Sequence, residues 1–333
     1  MTQFCQKPII NEYLHSATYS AHCDGNGYPQ KQFYDFYTKI AEGGPAVIIM
    51  QHAYVQLNGR FSDRQLSISD DSTIEHHKKV VQTIRNVNKD IIIVCQLAHA
   101  GIKAPNAEKY DINTMSKQDF EDVVKSFQKA AERAKSAGYD AVQIHSAHQY
   151  LLSQSISSGY NQRTDQYMYM DFKLLTDVFN AVKPIIYAGV KIQSNDFMTQ
   201  IGVNYEFSLN ICKTIPFDFI EISGGGRDER SAFLTGRDDK SDTFYYQDMV
   251  KLMDKQFLED NFIIVTGGFQ NIEDAKKALQ LGCKMVGFSR KFIRNPMFLK
   301  NDNSICVRCN LCSKKCSEEA GLACVFKGGY GVI

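Results

Sequence analysis

No stretch of this 333-residue chain approaches the roughly 20 consecutive apolar residues that a membrane-spanning helix needs. Neither sign of charge is in excess. The 38 lysines and arginines stand against 37 aspartates and glutamates, which excludes the basic footprint of a protein that binds nucleic acid or an anionic membrane surface. No Gly-x-Gly-x-x-Gly unit follows an apolar run, so a Rossmann-type pyrophosphate site is excluded as well. Solenoid repeats, heptads and low-complexity tracts are missing. The first 14 residues carry no charged-then-apolar leader, and without one the ten cysteines point to a reducing interior, where thiols serve metals or redox chemistry more often than disulfides. A soluble cytoplasmic protein is expected, with a homo-oligomer left open.

What is present is the composition of a full-sized enzyme, with 44% apolar residues to build a core. Short, β-branched apolar runs recur at Tyr13–Thr18, Ala46–Met50, Ile91–Leu97, Asp140–His145, Gly189–Gln193, Asp218–Ser223, Phe262–Thr266 and Met285–Phe288. Stretches of helical spacing separate them. The clearest begins at Ser116, with Asp119 completing a capping box, and stops at Gly138. A second follows Ser72, and in it His77 reads as an amphipathic boundary residue rather than a ligand. Others cover Gln30–Glu42, Phe172–Val182, Tyr205–Thr214, Tyr245–Phe257 and Ile272–Leu281. Continuously apolar strands imply a parallel sheet covered on both faces. Polar residues and glycines recur at the strand C-termini, where barrel enzymes place their chemistry, so the expected fold is an α/β (β/α)8 TIM barrel. The composition breaks after Leu299. Residues 1–299 are read as the barrel and 300–333 as a cysteine-rich extension packed on it.

The richest strand end is His145-Ser-Ala-His148-Gln-Tyr150. Two imidazoles can hold an oxygen between hydrogen-bond donors while the phenol gives a proton to a neighbouring carbon, which is acid chemistry on a polarised double bond. A set of structural rim rings is the bland alternative, and the cluster by itself is evenly balanced between the two. The Gly267-Gly268 pair after the seventh run, and Ser289-Arg290 after the eighth, suit a phosphate where barrels often bind one.

Taken in order, these segments resemble the Old Yellow Enzyme family of FMN-dependent ene reductases. The matching motifs are Asn11 with Ser16-Ala17-Thr18, Ala41–Gly44, Gln96-Leu-x-His99-Ala-Gly101, Ile144-His-x-Ala-His148-x-Tyr150-Leu-Leu152, and Asn161-x-Arg163-Thr-Asp165-x-Tyr167. The resemblance implies an FMN whose pyrimidine edge meets Gln96, whose ring lies against Ala17 and Thr18, and whose phosphate takes Gly267, Gly268, Ser289 and Arg290. Lys191 stands where relatives place an arginine beside flavin N1. It further implies that NADH or NADPH supplies hydride, that His145 and His148 bind the carbonyl oxygen of an enone or related activated alkene, and that hydride passes from flavin N5 while Tyr150 protonates the α-carbon. Three departures are expected to bear on the substrate side or its support: Glu12 for an arginine, Ile102 for an arginine, and Met168-Tyr169-Met170 for a Gly-Gly-Ser segment. His52 is expected to narrow the pocket over the flavin.

Cys306-x2-Cys309-x2-Cys312-x11-Cys324 spaces thiolates to converge, and that spacing admits a [4Fe–4S] cluster, a structural zinc or unliganded thiols. It is similar to the tail of 2,4-dienoyl-CoA reductase and trimethylamine dehydrogenase, which implies a cluster, with Cys316 as a substitute ligand. Two rivals therefore stand beside ene reduction: a flavin-dependent amine dehydrogenase or electron-transfer protein, and a barrel that binds ligand without turnover.

Overall fold

Strands that are apolar on both faces need cover on both, and closing the sheet into a ringed barrel supplies it. In the computed structural model, which describes residues 2–105, 107–197, 202–225, 244–316, 318, 320–326 and 328–331, eight parallel strands close on themselves. They are β1 Tyr13–His15, β2 Val47–Ile49, β3 Ile92–Ala98, β4 Ala141–Ser146, β5 Ala188–Gln193, β6 Ile220–Ser223, β7 Ile263–Thr266 and β8 Met285–Phe288. Val286 of β8 pairs with Tyr13 and Leu14 of β1 with Val47, so the ring is complete.

The buried side chains form two large cores and a small third cluster of Ala98, Ala100, Ala104 and Tyr150. Leu14, Val47, Ile49, Ile92, Val94, Ile264 and Met285 form one cluster, and the larger cluster joins the other strand faces to the helices. An N-terminal hairpin, Gln3–Phe4 with Lys7–Pro8, adds Phe4 to the Leu14 cluster. Its ring lies 4.8 Å from Phe219 and 4.9 Å from Phe262, a burial worth about 2 kcal/mol. Two-residue strands are too short to show periodicity, so nothing in the pattern of the chain announces this hairpin.

The helix Lys117–Ser136 starts where its cap predicts. The Ser116 hydroxyl accepts from the Asp119 N–H at 3.2 Å, and the Asp119 carboxylate accepts from the Ser116 N–H at 2.8 Å. Phe120, Val123, Phe127, Ala130, Ala131 and Ala134 form its buried face. The expected helix over Tyr245–Phe257 is instead two short ones, Gln247–Lys251 and Lys255–Asp260. Asp254 breaks the run by capping the second, accepting from the Phe257 N–H at 2.8 Å. Strand β1 also stops three residues early, because the Thr18 hydroxyl turns back to the Ser16 carbonyl at 2.9 Å.

His77 corrects another expectation, since it is buried in the core rather than placed at a boundary. Nε2–H donates to the Ser67 carbonyl at 2.7 Å, and Nδ1 lies 2.8 Å from the Tyr139 hydroxyl, so both nitrogens of the buried ring have partners. Burial pushes its pKa down to about 4, although the bond to Ser67 works the other way. The unfolded chain, with a value near 6.5, binds the proton first. The neutral ring's contribution is therefore full above pH 6.5 and is lost as pH falls toward 4, by at most about 1.4 kcal/mol per pH unit. His77→Gln is expected to reduce the slope of that part of a plot of urea midpoint against pH, and an unchanged slope would refute the assignment.

Candidate active site

The C-terminal ends of the strands gather the polar residues. His145 is the fifth residue of β4 and is buried; two residues beyond the strand the chain turns through left-handed backbone at His148 and Gln149 (φ 59° for both). That turn is held by the His148 N–H donating to Gln193 Oε1 at 2.7 Å and by Lys103 Nζ donating to the His148 carbonyl at 2.7 Å. The result is a four-ring cluster. The His145 ring lies 5.3 Å from His148, 4.9 Å from Tyr150 and 6.0 Å from His52. His148 Nε2 meets the Ser223 hydroxyl at 3.0 Å, whereas His145 Nδ1 is buried with no hydrogen-bond partner.

All of these imidazoles are uncharged near neutrality. Burial lowers His52 to about 3 and pulls His145 and His148 well below the ordinary value, and the nearby Lys191 ammonium pushes all three the same way. A neutral ring still offers one N–H, so the site presents donors without fixed charge.

Beneath this cluster runs a buried polar chain. Gln96 Nε2 donates to Gln143 Oε1 at 2.6 Å, and Gln143 Nε2 donates to Glu221 Oε2 at 2.7 Å. Glu221 Oε1 also accepts from the Ser16 hydroxyl at 2.5 Å and the Thr266 hydroxyl at 2.7 Å. Lys191 Nζ sits 3.1 Å from the same carboxylate and donates to Ser16 Oγ at 2.7 Å. Burial raises the Glu221 pKa, but Lys191 and the three donors outweigh it, so the net shift is downward and the group is an anion. Thus β3, β4, β5, β6 and β7 each contribute one residue, and Ser16 just beyond β1 a sixth, to a network inside the barrel.

On the opposite side of the mouth the Thr18 and Ser289 hydroxyls meet at 2.7 Å. Gly267 has φ 157°, and a Cβ there would stand 2.5 Å from the Tyr246 ring, while Gly268 has φ 90°; this turn therefore requires glycine. Arg290 donates to Asn310 Oδ1 at 3.0 Å, tying the tail to the rim. Cys306, Cys309, Cys312 and Cys324 line one cleft together with Arg290 and Arg294. Among the described residues, no three His, Cys, Asp or Glu side chains converge closely enough for a single ion. Four sulfurs around one zinc must lie within about 4 Å of each other, so the thiols as placed surround a space rather than a point. Burial pushes the Cys312 thiol up to about 11, and Cys306 adds to the shift. Cys316 faces elsewhere, against the Tyr19 carbonyl at 3.5 Å.

The donor set fits the FMN that the motifs imply. Gln96 and Lys191 are an amide and a cation that can meet a polar ring edge, Ala17 is a small side chain that can lie against a ring face, and two hydroxyls with a glycine turn and Arg290 suit a phosphate. Sequence reasoning missed Glu221, Gln143, Gln193 and Ser223. A carboxylate inside the apolar run Phe219–Ile222 was the available signal for the first. Of the three departures, Glu12 is exposed just before β1, at the barrel end opposite the rings, and so does not bear on the substrate side. Ile102 and Met170 are exposed.

The model of the NADH:flavin oxidoreductase / NADH oxidase family matches residues 7–303. The chain is similar to an NADPH dehydrogenase of Bacillus licheniformis, 33% identical over 229 residues, which are 62% of this chain and 66% of that one. Among solved structures, a 2-naphthoyl-CoA reductase superposes with a TM-score of 0.81 at 16% identity, covering 93% of this chain but only 53% of its own. An old yellow enzyme homologue from Zymomonas mobilis superposes with a TM-score of 0.73 at 19% identity, over 89% of this chain and 90% of its own. The chain thus spans about half of the first of those structures and just under two thirds of the Bacillus relative.

Proposed function

This chain belongs to the NADH:flavin oxidoreductase / NADH oxidase family, and from that premise we propose that it is an FMN-dependent oxidoreductase that uses NADH or NADPH to reduce the C=C bond of an α,β-unsaturated carbonyl compound. The observation that carries this reading is the cluster of His145, His148 and Tyr150, with the buried His145 Nδ1 lacking a partner that a ligand oxygen would supply. Bound FMN supplies hydride storage between the nicotinamide and the alkene. The residues of the chain do the rest. His145 and His148 donate to the carbonyl oxygen and draw electron density from the double bond, each such donor being worth on the order of 3 kcal/mol in the transition state. Tyr150 holds the proton destined for the α-carbon. A phenol can give a proton and take it back from water, which a general acid requires. Gln96, Lys191, Thr18, Gly267, Gly268, Ser289 and Arg290 hold the cofactor in this scheme, with Ala17 against its ring.

The thiol-lined cleft supports a second component of the proposal, a [4Fe–4S] cluster on Cys306, Cys309, Cys312 and Cys324. It also keeps the amine dehydrogenase or electron-transfer reading as the rival. One anaerobic preparation tests both cofactors. Mass spectrometry is expected to find FMN released from the protein, with about four irons and four acid-labile sulfides per chain. FAD, or no flavin after expression with riboflavin, sinks the flavin assignment. Stoichiometric zinc without sulfide turns the tail into a structural clip.

A further inference from the structure

His52, at the rim after β2, lies within hydrogen-bond distance of the Tyr150 hydroxyl. Its Nε2 lies 2.9 Å from that oxygen, with the rings 5.2 Å apart and nearly perpendicular at 81°. His52 is 8% exposed and is held in place: Gln65 Nε2 donates to the His52 backbone carbonyl at 3.2 Å, and the Tyr19 ring lies 5.5 Å from the imidazole. The charged or titratable groups around the pair come from four elements. They include Tyr19 after β1, Lys103 after β3 (5.8 Å from the Tyr150 ring), His145 on β4 with His148 just beyond it, and Lys191 on β5.

A neutral imidazole carries one N–H, and its position decides what the phenol can do. If the hydrogen is on Nδ1, the phenol donates to Nε2 and its proton is locked on that axis, away from any ligand. If the hydrogen is on Nε2, the imidazole donates to the phenol oxygen, and the phenol hydrogen must rotate off the axis. Burial, which lowers His52 to about 3, keeps the ring in one of these two neutral forms.

We propose that His52 is a positioning residue for Tyr150, donating from Nε2–H to the phenol oxygen so that the acidic hydrogen points toward the alkene and the phenolate left behind is stabilised. The inference rests on the reading of Tyr150 as the acid. The atoms balance without a further reactant beyond water. The Tyr150 O–H bond breaks as the α-carbon C–H bond forms, its electron pair stays on oxygen, and His52 Nε2–H continues to donate to that phenolate. Water then returns a proton to the phenolate, and His52 ends neutral as it began.

The test is stopped-flow reoxidation of the reduced holoenzyme by 2-cyclohexenone across pH. His52→Leu removes the donor, and His52→Gln keeps an amide N–H in its place. His52→Leu is expected to slow reoxidation by roughly 10- to 100-fold, the reach of one hydrogen bond to a charged group. It should also raise the pH of the alkaline limb by about one unit, since an unsupported phenolate is harder to form. Reduction by nicotinamide should change far less than reoxidation, and His52→Gln should restore most of both effects. Combined with Tyr150→Phe, His52→Leu should cost nothing further. If His52→Leu does not fold, His52→Met takes its place in every arm. An alkaline limb that does not move, or losses that multiply in the double variant, would overturn the role of His52. If Tyr150→Phe is slow while His52→Leu is not, this inference alone fails. If Tyr150→Phe reoxidises at the normal rate, the acid assignment beneath it fails instead.

Discussion

Replacing Tyr150 by phenylalanine is expected to slow enone-driven reoxidation by roughly 10²–10⁴-fold, the usual reach of general acid catalysis. Reduction by NADH or NADPH should be nearly untouched, because that half-reaction needs no proton at the α-carbon. The split is what makes the variant informative. Tyr150 is 8% exposed, its ring lies 4.9 Å from His145, and it begins the short helix Leu151–Ser155. A merely structural phenol in that place supports His145, the helix start and the rim together. Its loss would then depress both half-reactions and the melting temperature in step. Phenylalanine keeps the ring and removes one oxygen, so the packing cost is small and the chemical cost is isolated. Stopped-flow traces in which the variant reoxidises at the wild-type rate with a simple cyclic enone would end the claim that this phenol is the acid.

The second large effect concerns a residue far less conspicuous in the chain. Glu221→Leu is expected to destabilise the protein by about 3–5 kcal/mol, the cost of leaving one member of a buried ion pair alone. Lys191 is 3% exposed, Glu221 is fully buried, and the two lie 3.1 Å apart inside the barrel. Removing the carboxylate strands the ammonium and also frees donors on Ser16, Thr266 and Gln143. Glu221→Gln, which keeps an acceptor for some of them, should cost less. The double variant Glu221→Leu/Lys191→Met should recover much of the loss, since no isolated charge then remains. Urea midpoints at constant slope measure all three variants. A Glu221→Leu midpoint indistinguishable from wild type would show that Lys191 has another way to be satisfied. The same carboxylate bears on the proposed cofactor contact, because it orients the lysine and offsets its charge.

Much of the architecture can be read along the chain because it depends on local signals. The eight apolar runs, the Ser116 capping box and the glycine after the long helix are each decided within about twenty residues, and each agrees with the fold. His145, His148 and Tyr150 were legible for the same reason, lying within six positions on one strand end. Gly267-Gly268 and Ser289-Arg290 are likewise adjacent pairs, so their juxtaposition at a strand end needed only the strand assignment. Where the local reading failed, a side chain had overruled periodicity. Asp254 splits an expected helix by capping its second half, and Thr18 ends β1 by folding back.

What the sequence determined by itself, then, is the period of its apolar residues, hence eight βα units, and the chemical types gathered at each strand end. Closure of the barrel was decided by the tertiary structure, in the pairing of β8 with β1. The folded barrel brings His52 to Tyr150 across 98 positions, and sets Ser16 beside Lys191 across 175. Glu221 shows why such partners could not be read from the chain. A lone carboxylate in an apolar strand is unfavourable until its cation and donors arrive, and those come from β4, β5, β7 and the turn after β1. Its desolvation cost is local, whereas its compensation is spread over residues 16 to 266, and no spacing rule spans that distance.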